Sequence, residues 1–362
     1  MSRALAVALA LPLAVASIAA CAARPTSTPA PPTATSSPRA SATPTATATP
    51  TPHPLSIDFL RQKAHPGGPL TVVRDLGVKG NYRQSIVRYP SDGLAIQALL
   101  TVPLGDPPPT GWPAIVFNHG YIPPAQYRTT ERYIAYVDAF ARSGYVVLKS
   151  DYRGHGESEG DATGGYGDQG YTSDVLNALA SLRRRPDVDP DRIGMWGHSM
   201  GGWVTLRSMV TTDTIKAGVI WAGVVASYPD LLTRWRRPDA PTPDTASTAG
   251  GLNPASSAGR RWRTDLVARF GEPDANPTAW APLSANSYLA DLSGPIQLHH
   301  GTADHSVPLG FSETLVDEIH AVGGDVELFT YPGDDHNIAA NLSTALARSV
   351  AFFDAHVKGS AP

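Results

Sequence analysis

Gly197-His198-Ser199-Met200-Gly201, preceded by Arg192-Ile193-Gly194-Met195-Trp196 and followed by a helix-like run over residues 203–210, decides how this chain is read. The five residues have the form G-x-S-x-G. The segment before them is a short apolar run of strand character, and the segment after them has helical spacing. The serine therefore falls on a strand-to-helix turn. There its hydroxyl is pushed out at the end of a sheet strand, and glycine on either side removes Cβ atoms that would clash in so sharp a bend. Motif and context together make Ser199 a candidate nucleophile.

Outward from this turn, strand-like runs alternate with helical ones. Residues 85–89 and 94–102 flank Ser91-Asp92-Gly93 and read as an antiparallel hairpin. Residues 114–118, 145–150, 192–196, 215–221, 296–299 and 326–331 are short, β-branched-rich and bounded by Gly or Pro, as in strands buried on both faces. Between them, Tyr133, Ile134, Val137 and Phe140 keep helical spacing up to Ser143-Gly144. Val175, Leu176, Leu179 and Leu182 do so before Pro186, and residues 311–322 end at Gly323-Gly324. The alternation predicts an α/β fold, a mostly parallel sheet with helices on both faces. Residues 226–289 break the rhythm with many Pro, Ser, Thr and Asp residues and a helix near 264–270. So long a connection predicts a lid or cap insertion. Residues 55–83 carry little pattern and are expected to pack on the domain edge.

A serine is a poor nucleophile without a base in hydrogen-bond reach, and the base needs a partner that fixes its tautomer. Downstream of Ser199 the chain offers His300-Gly301-Thr302-Ala303-Asp304 after one predicted strand and Gly333-Asp334-Asp335-His336 after the last. Both lie past C-terminal strand ends, where open α/β sheets place their sites. His336 is assigned as general base and Asp304 as its orienting carboxylate, with Asp334 or Asp335 as alternatives. His299 reads as a strand residue and His300 as structural. Asp334-Asp335-His336 could also suggest a metal site, but further ligands at metal spacing are lacking, so neither metal nor cofactor is expected. Acyl transfer also needs N–H donors for a developing oxyanion. Met200, after the nucleophile, supplies one. Tyr121, in the loop after Phe117-Asn118-His119-Gly120, supplies the other and can also wall the pocket.

His119-Gly120, Asp151-Tyr152-Arg153-Gly154-His155-Gly156-Glu157-Ser158, Gly197-His198-Ser199-Met200-Gly201-Gly202, His300-Gly301-Thr302-Ala303-Asp304 and Asp335-His336 occur in this order. Over residues 85–357 the chain resembles the α/β-hydrolases, nearest to the catalytic domains of the prolyl oligopeptidase (S9) and dienelactone hydrolase groups. The resemblance implies an eight-stranded sheet and a cofactor-free Ser-Asp-His mechanism on an ester or amide. Prolyl oligopeptidases carry a large β-propeller before the catalytic domain, which this chain has no room for ahead of its hairpin. Their oxyanion loop often reads His-Gly-Gly, where this chain has His119-Gly120-Tyr121. A carboxylesterase-type reaction is therefore expected, with an S9-like peptidase as alternative. A non-catalytic surface binding protein on the same fold is the reading from another class. Asp151 to Ser158 is expected to form a buttressing turn with Arg153 paired to a carboxylate. Arg234-Trp235-Arg236-Arg237 and Arg260-Arg261-Trp262-Arg263 read as solvated faces, or as contacts for an acidic or sugar-bearing substrate or for headgroups.

With 362 residues, 42% hydrophobic, the chain can bury a substantial core, and a net charge of −3 leaves no electrostatic footprint for nucleic acid. The single cysteine, Cys21, excludes an intrachain disulfide. Arg3 followed by an apolar stretch reads residues 1–20 as a secretory signal. Ile18-Ala19-Ala20-Cys21 resembles the lipobox of bacterial lipoproteins, in which the cysteine is acylated; an ordinary signal peptide with an incidental Cys21 is the alternative. Of residues 24–54, 28 of 31 are Pro, Thr, Ala or Ser, too polar to bury enough surface to order. Residues 21–54 are therefore expected to be a lipidated, disordered tether, and residues 55–362 an extracytoplasmic domain anchored to the cell envelope, acting on a small ester or peptide.

Overall fold

A computed structural model describes residues 51–235 and 257–359, apart from the side chains of 257–260. Residues 1–20, Cys21, the tether up to residue 50, and 236–256 of the insertion with Arg236 and Arg237 lie outside the described residues.

The strands are β1 (Thr71–Lys79), β2 (Tyr82–Ser91), β3 (Leu94–Pro103), β4 (Trp112–Asn118), β5 (Val146–Ser150), β6 (Val188–His198), β7 (Gly218–Trp221), β8 (Ile296–Gly301) and β9 (Val326–Tyr331). The α-helices are α1 (Ile57–Gln62), α2 (Ile134–Arg142), α3 (Gly170–Arg183), α4 (Met200–Met209), α5 (Tyr228–Thr233), α6 (Ser257–Phe270), α7 (Pro277–Trp280), α8 (Leu309–Ala321) and α9 (Leu342–Phe353). Among the described residues the strands form one sheet in the order β1-β2-β3-β5-β4-β6-β7-β8-β9. β1, β2 and β3 run antiparallel to their neighbours, and every pair from β5 through β9 is parallel. All eight expected strands are present. The sheet has nine because β1 adds an antiparallel edge; of residues 55–83, expected on the domain edge, β1 lies there, while Leu55, Ile57 and Leu60 are buried in the core.

Alternation along the strands sorts the core onto two faces. Ala114, Val116, Val146 and Leu148 point to the side covered by α3, α4 and α8, through Val175, Val204 and Leu315. Ile115, Phe117, Tyr145 and Val147 point to the side covered by α2 and α9, through Val137, Phe140 and Phe352. Each fully buried aliphatic side chain here contributes roughly 1.5–3 kcal/mol over exposure. The hairpin closes as expected: Asp92 and Gly93 take φ of 51° and 81° in a two-residue turn between Ser91 and Leu94.

The insertion packs inward where it is described. Trp235 and Trp262 are buried against Tyr166, and the Arg263 guanidinium lies 4.9 Å from the Trp262 ring centroid and 5.7 Å from that of Trp235. Arg234 pairs with Asp230. Trp235, Trp262 and Arg263 are therefore internal staples, while Arg234 and Arg261 stay exposed, as expected of a solvated face. The apolar bodies of the tryptophans outweigh the polarity of their neighbours. The end of the tether also docks: the His53 ring meets Phe270 at 5.0 Å, and Gln169 donates to the carbonyl of Pro54.

Candidate active site

Ser199 joins β6 to α4 at φ 55° and ψ −118°, a strained conformation for a residue with a Cβ. Three backbone bonds hold it. Its N–H donates to the Trp221 carbonyl at 2.9 Å, and its carbonyl accepts from Gly202 and Val224. A Cβ on Gly197 would collide with the Gly201 carbonyl, and one on Gly201 with that of Asn118, so only glycine fits either flank. Met200 opens α4, where N–H groups have no intrahelical acceptor.

Asp304 follows β8 and His336 follows β9, so adjacent parallel strands deliver them side by side. His336 Nδ1 and Asp304 Oδ2 are 2.7 Å apart, with the Asp304 side chain fully buried and that of His336 19% exposed. The N–H groups of Ser306 and Val307 donate to Asp304 Oδ1, and His300 Nε2 stands 3.2 Å from Oδ2. Burial alone would raise the Asp304 carboxyl. The bonds from His300, His336 and Val307 outweigh it and hold the group well below the usual carboxylate range. An ionised Asp304 only accepts, so His336 carries its proton on Nδ1 and presents Nε2 as a base.

Ser199 and His336 line one cavity of about 320 Å³, together with Gly120, Tyr121, Ile122, Arg132, Tyr133, Tyr136, His198 and Asn337. A hydrogen-bonded chain ties its walls together. His198 Nε2 is 3.0 Å from the His336 carbonyl, which can only accept, so the ring proton sits on Nε2. His198 Nδ1 must then accept from the Tyr133 hydroxyl at 2.7 Å, and that hydroxyl accepts from the Gly120 N–H at 2.9 Å. The chain thus connects the loop of Gly120 and Tyr121 to the loop of His336. Burial and the neighbouring His336 push the His198 pKa down to about 3, which keeps the ring neutral as these bonds require.

Beneath the 119–121 loop, the His119 ring lies 4.6 Å from that of Tyr127 and 4.3 Å from that of Tyr152. Asp151 accepts from Tyr127, Thr129 and Gln97, and burial pushes its pKa up to about 6. Arg153 pairs with Asp174 at 2.7 Å and with Asp92 at 2.9 Å, as expected of a buttressing turn.

The alternative carboxylates are otherwise engaged. Asp334 accepts from Asp335, Ala340 and Asn341, and Asp335 from Asn337 and Ala339. His299 lies in β8 between Gln297 and Tyr331. Sequence reasoning missed the contact of His300 with Asp304 and the Tyr133–His198 chain. It also missed Trp235, whose indole N–H reaches the Ser306 carbonyl and braces the Asp304 loop from the insertion.

A model of the family described as X-Pro dipeptidyl-peptidase (S15 family) matches residues 92–334. The chain is 26% identical over 255 residues to an uncharacterized peptidase YuxL of Bacillus subtilis, covering 68% of this chain and 34% of that one. It is 28% identical over 235 residues to a probable dipeptidyl-aminopeptidase B of Fusarium vanettenii, covering 62% and 22%. It therefore spans about a third of the length of one of these curated relatives and less of the other. Among solved structures, Pyrococcus horikoshii acylaminoacyl peptidase superposes with a TM-score of 0.59 at 22% identity, over 78% of this chain and 43% of that one. An acetyl xylan esterase from Paenibacillus sp. R4 does so with a TM-score of 0.61 at 17% identity, over 83% and 92%. These two establish the α/β-hydrolase fold. The family match spans most of the chain, which has the α/β-hydrolase fold and belongs to the X-Pro dipeptidyl-peptidase (S15) family.

Proposed function

We propose that this chain is a carboxylesterase-type hydrolase acting through a Ser199–His336–Asp304 triad. Ser199 Oγ attacks the ester carbonyl as His336 Nε2 takes its proton, and the N–H groups of Met200 and Tyr121 receive the oxyanion. His336 then protonates the leaving alcohol, and water releases the acyl group by the reverse sequence. The observation that carries this reading is the 2.7 Å bond between His336 Nδ1 and the buried Asp304, on the same cavity as the strained Ser199.

An ester is favoured over a peptide by the cavity wall. A dipeptidyl-peptidase must hold a free N-terminal ammonium, which needs a carboxylate, and among the described residues none lines this cavity. The family description and the dipeptidyl-aminopeptidase relative support peptide cleavage as the second reading. Matched 4-nitrophenyl esters and X-Pro 4-nitroanilides separate the two. The proposal expects a higher kcat/KM on the esters, and a higher value on the anilides would transfer the protein to the peptidase side. We further propose residues 226–289 as the cap and Cys21 as an acylated envelope anchor, which rests on the N-terminal sequence alone. Metabolic palmitate labelling that survives Cys21→Ala would remove the anchor.

A further inference from the structure

Catalysis leaves one charged side chain of the cavity wall unexplained. Arg132 lines the same cavity as Ser199 and His336, together with Tyr133 and Tyr136. It is exposed, and among the described residues it makes no ion pair. Its neighbour Glu131 is not its partner, and the carboxylates of the His336 loop, Asp334 and Asp335, are taken up by backbone N–H groups of their own turn. Its backbone is nonetheless anchored. Its carbonyl accepts from Lys149 Nζ at 3.1 Å, from a side chain fully buried in the sheet. Arg132 also precedes Tyr133, the N-cap of α2, which supplies no capping side chain. The positive end of that helix therefore adds to the guanidinium on the same wall.

We propose that this cavity takes esters whose acyl or alcohol part carries a carboxylate, with Arg132 as its counter-ion. The proposal rests on the hydrolase reading above and narrows its substrate class. A guanidinium forms bidentate bonds to a carboxylate, and three tyrosines (Tyr121, Tyr133 and Tyr136) give apolar surface for the chain or ring between that carboxylate and the scissile bond. Among the described residues no carboxylate lines the wall, so a cationic substrate meets like charge there.

Two ester series on the whole chain test this. For the acyl side, 4-nitrophenyl esters of hydrogen adipate, methyl adipate and 6-(trimethylammonio)hexanoate differ in charge at one end. For the alcohol side, acetates of 3-carboxyphenol, 3-carbamoylphenol and 3-(trimethylammonio)phenol do the same. The quantity read is the ratio of kcat/KM between charged and neutral members, which a general loss of folding leaves unmoved. In at least one series the anionic member should lead the neutral one by about 1.5- to fivefold, the span of an exposed ion pair. Arg132→Ala should bring that ratio close to one, and Arg132→Glu should invert it in favour of the cationic member. The series that responds identifies the side on which the carboxylate sits. Ratios shared by the native chain and Arg132→Glu in both series would overturn the proposal. Turnover of all esters that survives Ser199→Ala would instead overturn the hydrolase reading on which it rests.

Discussion

At the scale of single residues, the account divides the site into groups that react and groups that hold them. Ser199→Ala and His336→Ala should each lower kcat by about 10³- to 10⁶-fold, and the double variant should be little worse, because the residues act as a unit. Asp304→Asn should cost less than either. Its Oδ1 contacts to Ser306 and Val307 can persist, while the Nδ1 proton of His336 loses its ionised acceptor. Full activity in Asp304→Asn with loss in Asp335→Asn would reverse the carboxylate assignment. Tyr133 acts through its neighbours. Tyr133→Phe leaves the Gly120 N–H without its acceptor and His198 Nδ1 without its donor, a loss of about 1–3 kcal/mol per stranded group. Steady-state kinetics should show kcat falling at least about tenfold with KM little changed, since the chain aligns the two loops that act in the transition state. An equal rise in KM with kcat intact would make Tyr133 a binding residue instead.

At the scale of elements, the turn between β6 and α4 depends on its glycines. Gly201→Ala should destabilise the domain by on the order of 3 kcal/mol, because the new methyl meets the Asn118 backbone and no flexible side chain can yield. Gly323→Ala, at φ 75° with open space around it, strains only its own backbone and should cost less. Equal unfolding midpoints for the two variants would count against the packing account of the turn. The same turn shows what was legible in the sequence. Six strands were readable as short apolar runs between breakers, and β2 and β3 from the Ser91-Asp92-Gly93 turn that joins them. β1 was not, because Thr71–Lys79 is largely exposed, carries Arg74, Asp75 and Lys79, and shifts register twice against β2. Those are the means by which an edge strand avoids further pairing, and they erase the apolar alternation that marks a strand. The serine, aspartate and histidine were readable because each sits in a short motif at a strand end. Tyr133 and His198 were not, since they lie 65 residues apart and only the sheet order brings them together. Trp235 and Trp262 misled for a related reason: a tryptophan among arginines looks solvated, and only the partner surface shows that the rings turn inward while Arg234 and Arg261 stay exposed.

At the scale of the whole molecule, buried neutral histidines set the acid limit of stability. Burial holds His198 and His299 down to about 3 and His119 well below its ordinary value, while the unfolded chain protonates all three near 6.5. Between those limits the unfolded state binds more protons, so stability rises with pH through the window and is lost as pH falls from about 6.5 toward 3. Asp151, raised to about 6, works in the opposite direction between about 4 and 6 because its folded form holds a proton there. Urea midpoints at pH 5 and pH 7 should show the net acid loss. His299→Gln, on β8 and outside the lining of the Ser199 cavity, should flatten it by at most about 1.4 kcal/mol per pH unit. An unchanged slope would mean that His299 titrates normally. The central claim concerns Ser199 itself, and covalent labelling tests it most directly. A fluorophosphonate should attach to the folded chain at one site, mapped by mass spectrometry to the peptide carrying Ser199, and His336→Ala should suppress the reaction. Absence of an adduct on Ser199 in folded protein, or labelling undiminished by His336→Ala, would contradict the account.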